Sequence, residues 1–373
     1  MKGRGGEISR VVLAAGGTGG HIMPAIAFGG WLKREYPDID LTFISGSRPI
    51  ELEIYRVSDI EPLVVSASGS PIGASGFKML ERWAELFRSF FEARRWLKKI
   101  SPDICILFGG YVSLPVMLAG KLCKVRSILH EQNARAGRAA RIASFMKIPV
   151  ASGWKECEPI RRDNYMEVGV PIRRFRNMDK DEARRLLGIP AENCGPVTAV
   201  MTGSLGSGNM LDIIGELAKT DGMSSWRFLA VDSSADSPRA EGNVTLLPRM
   251  WDITPLYAAA DIVMARGGAS TLSEIISLGV PAVIAPWRGA ADDHQMKNAR
   301  AAADGKRIVI WDELEDPLND LAEKLLKLQD LFGDINGSTE KMLYNANVSG
   351  ETFCRKLLCY AIASRKGEVE LEG

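Results

Sequence analysis

Short β-branched runs alternate with helical stretches along this chain, break off at a charged segment, and then begin again. That double alternation constrains the fold most, because repeated β-α-β units specify a parallel sheet covered by helices. The first set of strands is expected at Val11–Ala15, Leu41–Ser45, Leu63–Ser66, Ile104–Phe108 and Ser127–Leu129. Arg173, Arg174, Arg176, Arg184 and Arg185 mark the break. The second set is expected at Val197–Thr202, Phe228–Val231, Val244–Leu247, Ile262–Met264, Ala282–Ala285 and Ile308–Ile310. Both halves open on a hydrophobic strand that ends in glycine and a small hydroxyl residue, Gly17-Thr18 and Gly203-Ser204. The expectation is an α/β protein of two doubly wound, Rossmann-like domains facing each other across a cleft. Ligands of such sheets bind outside the carboxyl ends of the strands. At 373 residues the chain exceeds one ordinary core and fits two. The expected division is 1–168, 169–350, and a C-terminal helix within 351–373 that packs back on the first domain.

Composition removes several classes of function. A net charge of +1 gives no reason to invoke nucleic acid as a partner. The six cysteines are scattered without a CxxC pair, which suits buried thiols in a reducing compartment better than a disulfide framework. Val11–Ala15 is too short for a signal peptide. The uncharged stretch from Ile104 to Gly120 approaches the length of a membrane span, but Gly109-Gly110 and Pro115 interrupt it. It reads as a buried strand, a glycine turn and a short helix.

The chemistry-bearing residues sit at strand ends. Gly16-Gly17-Thr18-Gly19-Gly20-His21 follows one strand and precedes a helix expected from Ile22 to Arg34. Glycines there let backbone approach an anion, and the helix start supplies oriented N–H groups. The spacing is not G-x-G-x-x-G, and the second strand ends in Ser45-Gly46-Ser47 without the acid that binds a dinucleotide ribose. All three histidines lie at β-to-α junctions: His21, His130 in His130-Glu131-Gln132-Asn133, and His294 before Gln295. No His-x3-His spacing indicates a metal site. Asp38-Ile39-Asp40 fits an Asp-x-Asp string but precedes the second strand, and reads as a solvated turn. Arg266-Gly267-Gly268-Ala269 opens a helix expected at Ser270 to Leu278. Its small residues can wrap a diphosphate, and Glu274 can accept from two ribose hydroxyls.

Six motifs in one order resemble the MurG family, UDP-N-acetylglucosamine:undecaprenyl-diphospho-muramoyl-pentapeptide N-acetylglucosaminyltransferases with the glycosyltransferase B fold. They are the glycine loop with His21, Gly109-Gly110-Tyr111, His130-Glu131-Gln132-Asn133, Gly169-Val170-Pro171-Ile172-Arg173, Ala269 to Glu274, and Asp293-His294-Gln295-Met296-Lys297-Asn298-Ala299. The resemblance implies that Gly17, Thr18, Gly19, Gly20, Gly109, Gly110 and Tyr111 meet the acceptor's diphosphate. It assigns Thr18, Gly19 and Gly20 to the donor side as well, together with Asn133, and it brings Arg173 and Ser204 near the nucleotide and its phosphates. Met250 matches the position that meets uracil. Ala269, Ser270, Thr271, Leu272, Ser273 and Glu274 match the diphosphate and ribose segment, and His294 and Gln295 the donor sugar side. The sequence departs from the family at Val170, Leu205 and Ser47, where Asn, Gln and Thr are common.

The implied reaction is inverting transfer of N-acetylglucosamine, with His21 as general base and Glu131 as the alternative. No cofactor or metal is expected to be required, and Mg²⁺ is expected only to stimulate. Two alternatives stay open: a related transferase with another glycolipid or small-molecule acceptor, and a non-catalytic nucleotide-sugar-binding paralogue. A polyprenyl acceptor also implies a peripheral protein on the cytoplasmic face of the cell membrane. Within Gly76 to Ile100, Phe77, Leu80, Trp83, Phe87, Phe90 and Phe91 recur at helical steps among Arg82, Arg88, Arg94, Arg95, Lys98 and Lys99. Such a stripe suits an anionic membrane surface, or else packing on the domain's own sheet.

Overall fold

The computed structural model describes residues 8–69, 77–189, 195–203, 208–232, 234–333 and 338–366. Contacts divide the chain into two units, residues 1–173 with 350–373, and residues 174–349. Residues 169–173, which the motif order grouped with the second half, therefore group with the first.

The first unit holds β1 (Arg10–Ala14), β2 (Asp40–Ser45), β3 (Leu63–Val64), β4 (Ile104–Leu107), β5 (Ser127–Glu131), β6 (Val150–Ser152) and β7 (Tyr165–Glu167). They form one sheet in the order β3-β2-β1-β4-β5-β6-β7, parallel at every pairing. Burial on both faces explains why β1 reads as an unbroken apolar run. Val11, Leu13 and Ala15 pack with Ile22 and Phe28 of the helix Gly19–Glu35 and with Leu357, Leu358 and Ala361 near the C-terminus. Val12 and Ala14 face the other way, onto Val112, Val116 and Met117 of the helix Gly110–Leu122. The uncharged stretch from Ile104 is thus a buried strand, a turn and a helix that Pro115 does not interrupt.

The second unit holds β8 (Val197–Met201), β9 (Arg227–Val231), β10 (Arg239–Glu241), β11 (Val244–Leu247), β12 (Ile262–Ala265), β13 (Ala282–Ile284) and β14 (Ile308–Ile310). Their order is β10-β11-β9-β8-β12-β13-β14, with only β10 antiparallel. In each sheet the strand order reverses beside the first strand, between β1 and β4 and between β8 and β12. In the first sheet the loops after β1 and β4 meet at the reversal, and a reversal of strand order is the usual place for a ligand in a doubly wound sheet.

Three strands carry no clear signal in the sequence. β6 (Val-Ala-Ser) and β7 (Tyr-Met-Glu) are poor in β-branched residues, unlike the equally short β14 (Ile-Val-Ile), and β10 is exposed throughout. The C-terminal helix is longer than expected, Thr339–Lys366, and its part from Gly350 on belongs to the first unit. Asp38 and Asp40 are both exposed, at the entry to β2.

Candidate active site

At the reversal of the first sheet, the loops after β1 and β4 are packed backbone to backbone. A Cβ on Gly110 would lie 2.0 Å from the carbonyl oxygen of Gly16, and its φ is +73°. Only glycine suits both the approach and the angle. Gly17, at φ +105°, donates its N–H to Glu51 Oε1 at 2.5 Å, and the Tyr111 hydroxyl donates to the same oxygen at 2.5 Å. Glu51 is wholly buried beneath the loop. Burial and the hydrogen bond to Glu51 push the Tyr111 hydroxyl's pKa well up, so it remains a donor. The helix that follows starts at Gly19, three residues before the sequence suggests, so Gly19, Gly20 and His21 form its first turn. Thr18 is its N-cap residue, with no side-chain capping bond.

His21 is half-buried, and its ring lies against glycine backbone. A Cβ on Gly109 would be 2.9 Å from His21 Nδ1, and one on Gly110 3.4 Å from Cδ2. His21 Nδ1 is 2.8 Å from Gln132 Oε1. Gln132 Nε2 reaches His130 Nδ1 at 2.9 Å and the His130 carbonyl at 3.0 Å. His130 Nε2 in turn meets the Gly169 carbonyl at 2.8 Å. Burial is the main cause that pushes the His130 imidazole down to about 4, so it is neutral at physiological pH.

The other two residues of that motif turn elsewhere. Glu131 Oε1 accepts from the Asn133 N–H at 2.9 Å and from Asn133 Nδ2 at 3.0 Å, and Oε2 accepts from the Gly137 N–H at 2.8 Å. The carboxylate braces its own loop. Glu131 and Asn133 are the residues to which the sequence assigns roles, but Gln132 is the residue of this motif that touches His21.

In the second unit, the donor-type motif is built on a buried arginine. Arg266 donates to the Ala285 carbonyl at 3.0 Å, to Glu313 at 2.9 Å and to Asn209 at 2.7 Å, which fixes the loop after β12. The helix Ala269–Leu278 begins directly after Gly268, with no side-chain cap, and contains Ala269, Ser270, Thr271, Leu272, Ser273 and Glu274. Glu274 is 3% exposed, and its Oε2 accepts from the Tyr257 hydroxyl at 3.0 Å. Gln295 Oε1 accepts from the backbone N–H groups of Gly267 at 3.1 Å and Trp287 at 3.0 Å. That pair of donors fixes the amide, so its Nε2 is the end left for a ligand. His294 opens the helix His294–Ala302 behind Asp292 and Asp293, at φ +55° and +52°. Met250 is half-buried after β11, two residues before Asp252, which pairs with Arg176 at 2.8 Å. Arg173 is half-buried within the first unit, and Ser204 lies outside the described residues. Among the described residues no group of three or more His, Cys, Asp or Glu side chains could hold a metal ion.

Residues 11–151 match the glycosyltransferase family 28 N-terminal domain, and residues 225–333 match the C-terminal domain of that family. The crystal structure of Acinetobacter baumannii MurG aligns with a TM-score of 0.66 at 22% identity, covering 95% of this chain and 99% of that one. A curated relative from Caldicellulosiruptor saccharolyticus is 32% identical over 353 residues, 90% of this chain and 94% of its own length. It is named UDP-N-acetylglucosamine–N-acetylmuramyl-(pentapeptide) pyrophosphoryl-undecaprenol N-acetylglucosamine transferase. A relative of the same name from Acetivibrio thermocellus is 32% identical over 319 residues, 82% of this chain and 85% of its own. The chain belongs to the MurG family. Its two parallel-sheet units are those of the glycosyltransferase B fold, and the activity class is hexosyl transfer. A histidine on a glycine floor occupies one unit, and an uncapped helix start with a buried glutamate occupies the other.

Proposed function

We infer that this chain transfers N-acetylglucosamine from UDP-N-acetylglucosamine to N-acetylmuramyl-(pentapeptide) pyrophosphoryl-undecaprenol, completing the lipid-linked disaccharide of peptidoglycan. The observation that carries this is the relation over 353 residues to a transferase of that name, which spans both substrate-binding halves. The muramyl hydroxyl attacks the anomeric carbon from the face opposite the diphosphate, so the linkage inverts and UDP leaves. His21 takes the hydroxyl proton, and imidazole is the side chain that ordinarily titrates nearest neutral pH. Negative charge grows on the leaving diphosphate. The uncapped start of the helix Ala269–Leu278 offers N–H groups and a positive dipole end for it. Glu274 holds the ribose, and the Gln295 amide nitrogen donates to a sugar hydroxyl. Gly17 to Gly20 receive the acceptor's diphosphate at the other helix start. Incubating the protein with labelled UDP-N-acetylglucosamine and a synthetic polyprenyl acceptor tests the reading. Label must pass into the lipid-extractable fraction; label that stays in the nucleotide overturns it.

No metal ion takes part in this scheme, because backbone N–H groups and dipoles serve the diphosphate. Activity is expected to persist in excess chelator, with modest stimulation by Mg²⁺ through the released UDP. Complete loss on chelation, restored by metal, would contradict it.

The acceptor's polyprenyl chain stays in the bilayer, and the helix Phe77–Ile100 is where we propose the chain meets it. Its core stripe is Leu86, Phe90, Ala93 and Leu97. A polar stripe grips the loop after β3: Glu85 accepts from Ser68, and Glu92 from Ser66. The third stripe is apolar and faces out, with Leu80 62%, Trp83 50%, Phe87 67% and Phe91 49% exposed. Packing on the domain's own sheet therefore accounts for one stripe and leaves another in water. An exposed aromatic stripe flanked by Arg88, Arg95, Lys98 and Lys99 suits reversible binding at an anionic interface, on the cytoplasmic face where the nucleotide-sugar is found. No helix among the described residues is long and apolar enough to cross a membrane. A Leu80→Ser/Trp83→Ser/Phe87→Ser variant is expected to lose most sedimentation with anionic vesicles, and high salt to weaken the wild type. Equal binding by a folded variant would move the membrane face elsewhere.

A further inference from the structure

The chain of hydrogen bonds from Gly169 through His130 and Gln132 to His21 admits one arrangement of protons. A backbone carbonyl only accepts, so the Gly169 oxygen takes its proton from His130 Nε2 at 2.8 Å. The His130 carbonyl likewise takes one from Gln132 at 3.0 Å, which establishes the nitrogen end of that amide. The second amide proton points to His130 Nδ1 at 2.9 Å, and neutral His130 has its lone pair there. The amide oxygen is then the atom 2.8 Å from His21 Nδ1, and it too only accepts. His21 must carry a proton on Nδ1, which leaves the lone pair of the neutral ring on Nε2. The glycine floor lies against the Nδ1 and Cδ2 edge, with Gly109 and Gly110 both at positive φ, and hinders the ring from turning over.

We propose that Gln132, oriented by His130 and the Gly169 carbonyl, is the positioning residue that holds His21 as its Nδ1–H tautomer and presents Nε2 as the proton acceptor. This rests on His21 as the base and adds what makes that base competent. The logic parallels that of a carboxylate orienting a catalytic histidine. Here a neutral amide does the orienting, and a second histidine two residues away fixes the amide. Gln132 is wholly interior at 1% exposure, so water does not compete for either end. After proton uptake the Nδ1–H still has its acceptor, and the imidazolium gains no unpaired donor.

The test reads the tautomer directly and separately from turnover. With three histidines in the chain, ring-nitrogen spectra of ¹⁵N-histidine-labelled protein can be assigned by single replacements. Wild-type His21, in its neutral form, is expected to show Nδ1 protonated and Nε2 bare. Gln132→Leu, close to isosteric, is expected to release a mixture of tautomers. It should also lower kcat by roughly 10²-fold, between the loss for a supporting contact and that for a wrong tautomer, with KM for the donor little changed. Gln132→Glu keeps the oxygen that accepts from His21 Nδ1, and as the neutral acid its one proton serves the His130 side that the amide nitrogen served; it is expected to retain the Nδ1–H form and recover part of kcat. A wild-type His21 protonated on Nε2 would overturn the proposal. So would a Gln132→Leu protein that keeps the Nδ1–H form, or a loss of kcat that Gln132→Glu does not repair while keeping the Nδ1–H form. If instead His21→Ala turns over normally, the base assignment fails, whatever tautomer the spectra record.

Discussion

His21→Ala is expected to lower turnover by roughly 10²–10⁴-fold, the usual contribution of a positioned general base, while UDP binds as before. The loss falls on kcat because the imidazole acts when the acceptor hydroxyl gives up its proton. UDP binding is expected to be spared because the Ala269 to Glu274 segment, proposed to hold the diphosphate and ribose, belongs to the other unit, residues 174–349. Glu131 is a poor substitute, since both carboxylate oxygens already accept from Asn133 and Gly137. Rapid-quench turnover at saturating substrates, beside calorimetry with UDP, checks both halves of the expectation. Turnover within a few-fold of wild type would assign the proton to water and remove His21 from the chemistry.

Glu274→Gln should weaken UDP binding by about 1.5–3 kcal/mol, the worth of hydrogen bonds to a charged group, which is roughly 10–150-fold in Kd. The side chain is 3% exposed, and the Tyr257 hydroxyl holds one of its oxygens. That bond orients the carboxylate before the ribose arrives, so little ordering remains to be done on binding. An amide keeps the shape but loses the charge and turns one acceptor into a donor. Tyr257→Phe keeps the charge and loses only the brace, so its effect should be smaller. Calorimetry in which Glu274→Gln binds UDP like wild type would remove the ribose assignment.

The sheets were legible in the sequence because their central strands are buried on both faces. Val11 to Ala15 and Ile104 to Leu107 are wholly apolar or nearly so, and no alternation confuses them with amphipathic surface. Val150–Ser152 and Tyr165–Glu167 are no shorter than Ile308–Ile310, but they hold one β-branched residue and none, where that strand holds three. Site residues that carry their chemistry in a local string were likewise readable: the glycines around His21, and Ala269 to Glu274. Glu51 was not. It is an ordinary-looking helical glutamate, and its role appears only when a strand and a helix bring it under Gly17, 34 positions away. Gln132 stands in the same motif as Glu131, and the string alone does not tell which of the two reaches His21. Side-chain direction along the strand end decides between them, and it turns His130 and Gln132 toward His21 while Glu131 and Asn133 bond to each other. Arg266 heads the same string as Ala269 to Glu274, and only the fold shows that it turns inward to bind Asn209, Ala285 and Glu313.

The most direct measurement is the product of a single turnover by the purified chain. Given UDP-N-acetylglucosamine and synthetic undecaprenyl-diphospho-muramoyl-pentapeptide, it should yield UDP and one new lipid heavier by a single N-acetylglucosamine. Proton coupling at the new anomeric centre should report a β linkage. An α linkage, free N-acetylglucosamine without lipid product, or turnover only with a different acceptor would contradict inverting transfer to the lipid-linked muramyl peptide.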